Sequence, residues 1–290
     1  MSSVSENPPP AFDPGWLALR EGADSEARAT ATLEALRAFL EGPGGAPRAR
    51  PVRIADLGCG SGSQGRWLAP RLSGAQHWTL YDVDPGLLSL AGAYLPTTSA
   101  DGARVNARMC LRDVGTITAQ DLSGVDLVTG SALLDLLTHA ELEAIVRAVT
   151  GAGCAALFTL SVAGRVELFP GDRDDPALTE AFNAHQRRGG RWGPEAARAA
   201  AGSFGEHGYR TLVSRSPWRL GPESVPLVRA WLRGWVEAAL EQDPDAAVGG
   251  YLERRLGECE RGELGVIVHH DDLLALPGEG PPPEEAVPHR

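Results

Sequence analysis

Lysine is absent from this chain of 290 residues; all 27 of its basic residues are arginine. That excludes a Schiff-base lysine, a lysine-anchored pyridoxal phosphate and the lysine of a phosphate-binding Walker loop. Cysteine is scarce: Cys59, Cys110, Cys154 and Cys259 stand far apart. With no Cys-x-x-Cys pair and no histidine pair at finger spacing, neither a disulfide framework nor a structural zinc is expected. No apolar run approaches the roughly 18–20 residues a membrane span needs, which argues against a membrane partner. The opening "MSSVSENPPP" has neither a basic start nor an apolar stretch, so no export signal is read and the cytoplasm is the expected compartment. Excess positive charge is missing too. A net charge of −11 argues against a nucleic-acid partner, because neutralising a phosphate backbone requires a local surplus of cations.

What remains is ordinary for a globular protein, with 43% hydrophobic and 22% charged residues. The length suits one α/β domain with embellishments or two small domains, and a single domain is the working expectation. Residues 1–12 and 277–290 are polar and proline-rich and read as disordered tails. The segment 1–46 is expected to hold the first tail and a helical lid, and 47–276 the main domain. After Asp24, "SEARATATLEALRAFLEG" spaces Ala and Leu as one amphipathic helix. Strands and helices then alternate: "PVRIADL", "HWTLYDV", "RVNARMCL", "GVDLVTG" and "CAALFTLSV" are the strands. Asp84 with Pro85, and Thr138 with Glu141, mark helix starts. Nearly continuous apolar strands separated by helices predict a Rossmann-like, doubly wound, mostly parallel sheet. Beyond it, "YRTLVSRSPW" and "ELGVIVHH" read as strands, the latter as a late antiparallel addition. Helical insertions are expected at about 163–192 and 222–262.

The most informative stretch is "IADLGCGSGSQG" at 54–65. A strand that ends in a glycine loop and opens a helix aims backbone N–H groups and a helix N-terminus at a ligand lying across the carboxyl ends of the strands. Gly58, Gly60 and Gly62 permit close approach of a nucleotide-like molecule. Gly60-x-Gly62-x-x-Gly65 also satisfies the dinucleotide fingerprint, which keeps an NAD(P)-dependent oxidoreductase as the alternative. Asp56 weighs against it: a carboxylate there is unwelcome beside a pyrophosphate and welcome beside an ammonium and a sulfonium. Asp56 as a plain helix cap is the bland reading, and Cys59 is a buried spacer.

"DLGCGSG" resembles the first motif of the class I S-adenosylmethionine-dependent methyltransferases, and the likeness extends over about residues 50–162. The resemblance implies S-adenosyl-L-methionine as cofactor. It implies Asp82 as the acid that holds the ribose hydroxyls and Asp113 as the acid that accepts from the adenine amino group. Val114 would read the ring edge through its backbone, and Val83 would pack on the ring face. The fourth-strand motif "VDLVTGSALLDLL" contains Ser131 on the cofactor side and Asp135 facing the substrate. Competing roles stand beside these: Asp82 or Asp84 as caps, Asp121 or Asp126 in place of Asp113, and Asp135 as a solvated helix start.

Methyl transfer from a sulfonium is an in-line displacement, so the enzyme chiefly positions and desolvates, adding a base when the acceptor is a neutral hydroxyl or amine. His185 is the first choice for that base, because its ordinary pKa lies near neutrality. Gln186 and Arg187 would follow it onto the substrate; a loose surface helix end is the competing account. Trp16 and Arg20 sit where such enzymes often carry a lid. Trp231 and Trp235, four apart on one helix face, suit core packing or a subunit contact such as a homodimer, and after those an aromatic wall. "HHDD" at 269–272 is not read as a metal site, because adjacent strand residues point to opposite faces. The expected function is methyl transfer to oxygen or nitrogen of a small-molecule acceptor, with a non-catalytic nucleotide-binding protein as a further alternative.

Overall fold

The structure, a computed structural model, describes residues 13–41, 50–247 and 249–278. The expected tail at 1–12, and all of the expected tail at 277–290 except residues 277 and 278, lie outside the described residues. Strands β1 (Val52–Leu57), β2 (Gln76–Asp82), β3 (Val105–Leu111), β4 (Leu127–Ser131) and β5 (Ala155–Phe169) are parallel neighbours in the order β3-β2-β1-β4-β5. Strand β8 (Gly265–Leu276) continues the sheet antiparallel to β5 and carries β6 (Arg210–Arg215) on its far side. A short strand, β7 (Trp218–Leu220), also pairs with β8 and makes eight strands among the described residues where seven were expected. The order reverses between β1 and β4, which fixes the crevice at their carboxyl ends as the place for a ligand.

Burial explains why these runs are strands. Every residue of β1 except Arg53 and of β4 except Ser131 is buried, as a sheet covered on both faces demands. On one face, Leu36 and Leu40 of α2 (Thr30–Glu41), Trp67 of α3 (Ser63–Leu68) and Leu88 of α4 (Pro85–Tyr94) pack on Ile54, Trp78 and Leu80. On the other, Ile145 and Val149 of α5 (His139–Ala152) and Phe204 of α7 (Ala196–Glu206) pack on Leu57, Val128 and Phe158. The helix starts form as their sequences specify. Asp84 accepts from the N–H groups of Gly86 and Leu87, and Thr138 with Glu141 makes a reciprocal capping box.

A third cluster lies beyond the sheet. Helices α6 (Asp175–Gln186), α8 (Val225–Gln242) and α9 (Tyr251–Glu260) pack with β7 and β8 through Leu178, Trp231, Leu232, Trp235 and Val268. Buried Arg255 of α9 ties this cap together, donating to both carboxylate oxygens of Asp175 at 2.9 and 2.7 Å and to the Pro170 carbonyl at 2.8 Å.

Three sequence expectations need correction. The helix expected after Asp24 is two helices, α1 (Pro14–Ala27) and α2, because Arg28 adopts ψ 130° and turns the chain. "YRTLVSRSPW" is divided between β6 and β7, since Ser216 leaves the ladder at β6 and gives its hydroxyl to Asp272. Strand β5 runs on to Phe169 through two register shifts, so the insertion expected from 163 begins inside a strand. Among the described residues no helix is long and apolar enough to cross a membrane.

Candidate active site

Between β1 and α3 the chain turns on left-handed glycines: φ is 59° at Gly58, 53° at Gly60 and 90° at Gly62. Only glycine holds such a run without strain. A Cβ on Gly62 would lie 2.9 Å from Ala91 Cα, and one on Gly60 would lie 3.6 Å from Leu17 Cδ1. The loop is therefore pressed against α4 below and crossed by α1 above. At the tip of β2, the carboxylate of Asp82 accepts from the N–H of Gly60 at 2.8 Å and of Asp84 at 3.0 Å. Asp84 is the helix cap, and Asp82 is the acid that braces the glycine loop. Val83 beside it is half exposed. Asp113 is exposed and accepts from Gly115 N at 2.9 Å, while Val114 packs against the core. The two neighbouring acids are engaged elsewhere. Asp121 is bound by Arg112 and Thr118, which hold its carboxyl down to about 2, and Asp126 by Arg50 and the Arg53 N–H.

Asp56 caps nothing. It is fully buried, and neither carboxylate oxygen has a hydrogen-bond partner among the described residues. Burial pushes its pKa up to about 8, against the pull of the nearby Arg28 cation. Arg28 is buried at the α1–α2 turn, with Nη2 on Ser131 Oγ at 3.2 Å and Ser63 Oγ at 3.4 Å. Its guanidinium lies over Trp67, 5.2 Å from the ring centre. Desolvation lowers its pKa to about 10, so it stays charged at neutrality, yet Nη1 has no partner. Burial pushes the Cys59 thiol upward, which removes it as a nucleophile.

Helix α1 is fastened over this crevice. Glu21 pairs with Arg66 of α3 at 2.6 Å, and Asp24 accepts from both Arg20 (2.9 Å) and Trp218 Nε1 (2.9 Å). At its end, buried Asp272 accepts from Ala29 N, Leu160 N (each 2.8 Å) and Ser216 Oγ (2.6 Å). One carboxylate thus joins the α1–α2 turn to the bulge in β5. Ala132, just after β4, and Leu160, at the first bulge of β5, both have left-handed φ, 51° and 59°. Such backbone costs about 1–3 kcal/mol at a non-glycine residue and concentrates at functional sites.

Those two residues help line a cavity of about 160 Å³. Trp16 and Arg20 face it from α1, Asp135 from the turn after β4, and Phe182 and Asn183 from α6. Trp231 and Trp235 close it from α8, their rings stacked 5.2 Å apart, and Trp218 and His270 from β7 and β8. Asp135 is buried with Oδ1 unpartnered, and burial pushes its pKa up to about 6. Asn183 donates to the Gly164 carbonyl at 2.7 Å while its Oδ1 has no partner. Burial lowers His270 to about 3 and keeps it neutral.

The structure thus gathers Asp56, the three loop glycines, Asp82 and Ser131 along one crevice, and Trp16, Arg20 and Asp135 around the adjoining cavity. It does not bring His185, Gln186 or Arg187 there. His185 Nε2 lies 3.4 Å from Glu241 Oε2. Arg187 is paired with Glu195, and Gln186 packs against Gly193. Two residues along a helix is a rotation of about 200°, so Asn183 and His185 cannot share a face. Sequence reasoning passed over Arg28, Asn183, His270 and Asp272. For the last two the signal was present, since the alternation in "HHDD" sends His270 and Asp272 to one face and leaves His269 to pair with Glu167 at 2.6 Å. Among the described residues no group of three or more His, Cys, Asp or Glu could hold a metal ion.

Residues 54–153 match the family described as "Methyltransferase domain". No curated protein matches the chain. Among solved structures, a putative methyltransferase from Bacillus halodurans is 12% identical, with 84% of this chain and 96% of that one covered and a TM-score of 0.45. Magnesium protoporphyrin IX methyltransferase from Synechocystis is 15% identical, covering 72% and 83%, with a TM-score of 0.44. A geranyl diphosphate methyltransferase in complex with S-adenosylmethionine is 14% identical, covering 91% and 92%, with a TM-score of 0.43. At these identities and scores the three neighbours say nothing of an acceptor. The matched stretch contains the whole glycine loop, Asp56, Asp82, Asp113 and the fourth-strand motif, and it decides against the oxidoreductase alternative. Residues 54–153 are a methyltransferase domain of the S-adenosylmethionine-dependent kind.

Proposed function

We propose that this enzyme transfers a methyl group to an oxygen or nitrogen of a small-molecule acceptor bound in the tryptophan-lined cavity, with Asp135 as the general base. When bound, S-adenosylmethionine supplies a sulfonium-activated methyl group. The crevice fits that molecule on its own chemistry. Asp56 offers an unpaired buried carboxylate for the ammonium, and Arg28 an unpaired guanidinium nitrogen for the carboxylate. Asp82, already fixed by two backbone donors, retains lone pairs for the ribose hydroxyls. Asp113 and the Val114 backbone are set for the adenine edge, Val83 for its face, and Ser131 holds Arg28 in place.

The observation that carries the reading is Asp135: a buried carboxylate with a free oxygen, inside a cavity between the end of β4 and the bulged part of β5, raised by burial toward the range of a neutral-pH base. A carboxylate acceptor would need no base and would be repelled by it. Labelled-methyl transfer from S-adenosylmethionine into a small-molecule extract, with the product identified by mass, tests the reading. O- or N-methylation that collapses in Asp135→Asn is expected; transfer indifferent to that change would remove Asp135 as base.

A further inference from the structure

We infer that the acceptor is an uncharged, planar, single-ring aromatic compound carrying hydroxyl or amino donors, held between tryptophan rings and hydrogen-bonded through those donors to Asp135 and Asn183. This rests on the reading of the cavity as the acceptor site. Size sets the first limit. A cavity of about 160 Å³ matches the engineered apolar cavity of about 150 Å³ that takes up benzene, so a single ring fits.

The walls set the second limit. Trp16 meets Trp218 edge to face at 6.4 Å, and Trp231 stacks with Trp235; with all four in the lining, the wall is aromatic and favours an aromatic guest. Aromatic walls also attract cations, but that role is filled here. The Arg20 guanidinium sits 5.0 Å from the Trp218 ring centre and 5.9 Å from that of Trp16, and a second cation beside it is disfavoured.

Hydrogen bonding sets the third. Asp135 Oδ1 and Asn183 Oδ1 are buried acceptors without partners, and His270 Nδ1 is a further unpaired nitrogen on the wall. Buried polar groups left unsatisfied are costly, and the same wall holds an unpaired donor, Trp235 Nε1. A ring with two hydroxyl or amino groups supplies both the donors and the lone pairs. In the transfer, the ring oxygen or nitrogen gives its proton to Asp135. Its lone pair forms the new bond to the methyl carbon as the carbon–sulfur bond breaks with its electron pair on sulfur, and the proton then leaves to solvent.

The full chain, saturated with S-adenosylhomocysteine, is titrated with catechol and ortho-aminophenol and with their saturated counterparts, cyclohexanediol and aminocyclohexanol. Calorimetry and tryptophan fluorescence read binding, and labelled S-adenosylmethionine reads transfer. At least one ring compound is expected to bind about tenfold or more tightly than its saturated counterpart, to quench fluorescence and to be methylated. Asn183→Leu is expected to weaken that binding about tenfold, the scale of one buried hydrogen bond, with affinity for S-adenosylhomocysteine retained as proof of folding. Equal binding of ring and saturated compounds, or no binding of either ring at millimolar concentration by a protein that binds S-adenosylhomocysteine, overturns the acceptor class. In that case Asp135-dependent methylation of a different molecule would leave the base assignment standing, whereas loss of S-adenosylhomocysteine binding itself would defeat the cofactor assignment.

Discussion

Around Gly58, Gly60 and Gly62 the surface offered to a ligand is main chain, braced by Asp82 and contributed by consecutive residues. Around Asp135 it is side chain, contributed by α1, the end of β4, the bulged part of β5, α6, β7, α8 and β8. In the first region Gly62 is pressed against α4, Gly58 against Leu133 and Gly60 against Leu17 of α1. The second depends on α1 being held down by Glu21–Arg66, Asp24–Trp218 and the Asp272 hub. A pocket of side chains can change its guest by substitution without disturbing the main chain of the glycine loop. Here the two meet at Ser131 and Ala132, adjacent residues of which one bonds Arg28 and the other lines the cavity.

Separability is the property to attack, and Asp135→Asn attacks it hardest. Turnover should fall by on the order of 10²–10⁴, the usual worth of a positioned base, while calorimetric affinity for S-adenosylhomocysteine stays within about twofold. In the unsubstituted enzyme the rate should rise with pH through about 6, where Asp135 ionises, and then level off. Asp82→Ala should do the converse, weakening S-adenosylhomocysteine by about tenfold or more, which is at least ~1.4 kcal/mol, and loosening the glycine loop it braces.

Asp56 sharpens the contrast through pH. Its folded pKa, about 8 against an ordinary 3.8, lies above the unfolded value. The free protein therefore carries full stability from this group below about pH 4 and loses it as pH rises toward about 8. An ammonium requires the ionised form, so S-adenosylhomocysteine affinity should climb by up to about tenfold per pH unit below 8 and flatten above it, with proton release on binding. The charges facing the group are Arg28 and Asp82. Asp56→Asn should abolish the slope; a slope that survives would assign it to another group. The smallest effect belongs to His185→Ala, which should leave turnover within about twofold, as expected of a side chain outside both regions.

The same contrast explains what was legible in the chain. Crevice residues are encoded locally: a strand, a glycine loop and a helix start at 54–65, then an acid at the end of the next strand, so short motifs suffice. The antiparallel β8 and the capping residues Asp84 and Thr138 were readable for the same reason. Cavity residues converge from seven elements, and no local pattern says which face of α6 turns inward; a reading that favoured the titratable His185 over Asn183 two places earlier missed the wall. Arg28 was invisible because its partners, Ser63, Ser131 and Thr159, are 35, 103 and 131 residues away.

The most direct test is a crystal structure with S-adenosylhomocysteine bound. The account predicts the ribose on Asp82, the amino-acid end between Asp56 and Arg28, and the sulfur facing the tryptophan-lined cavity beside Asp135. A ligand whose sulfur faces away from that cavity, or which binds without touching Asp82, would contradict it.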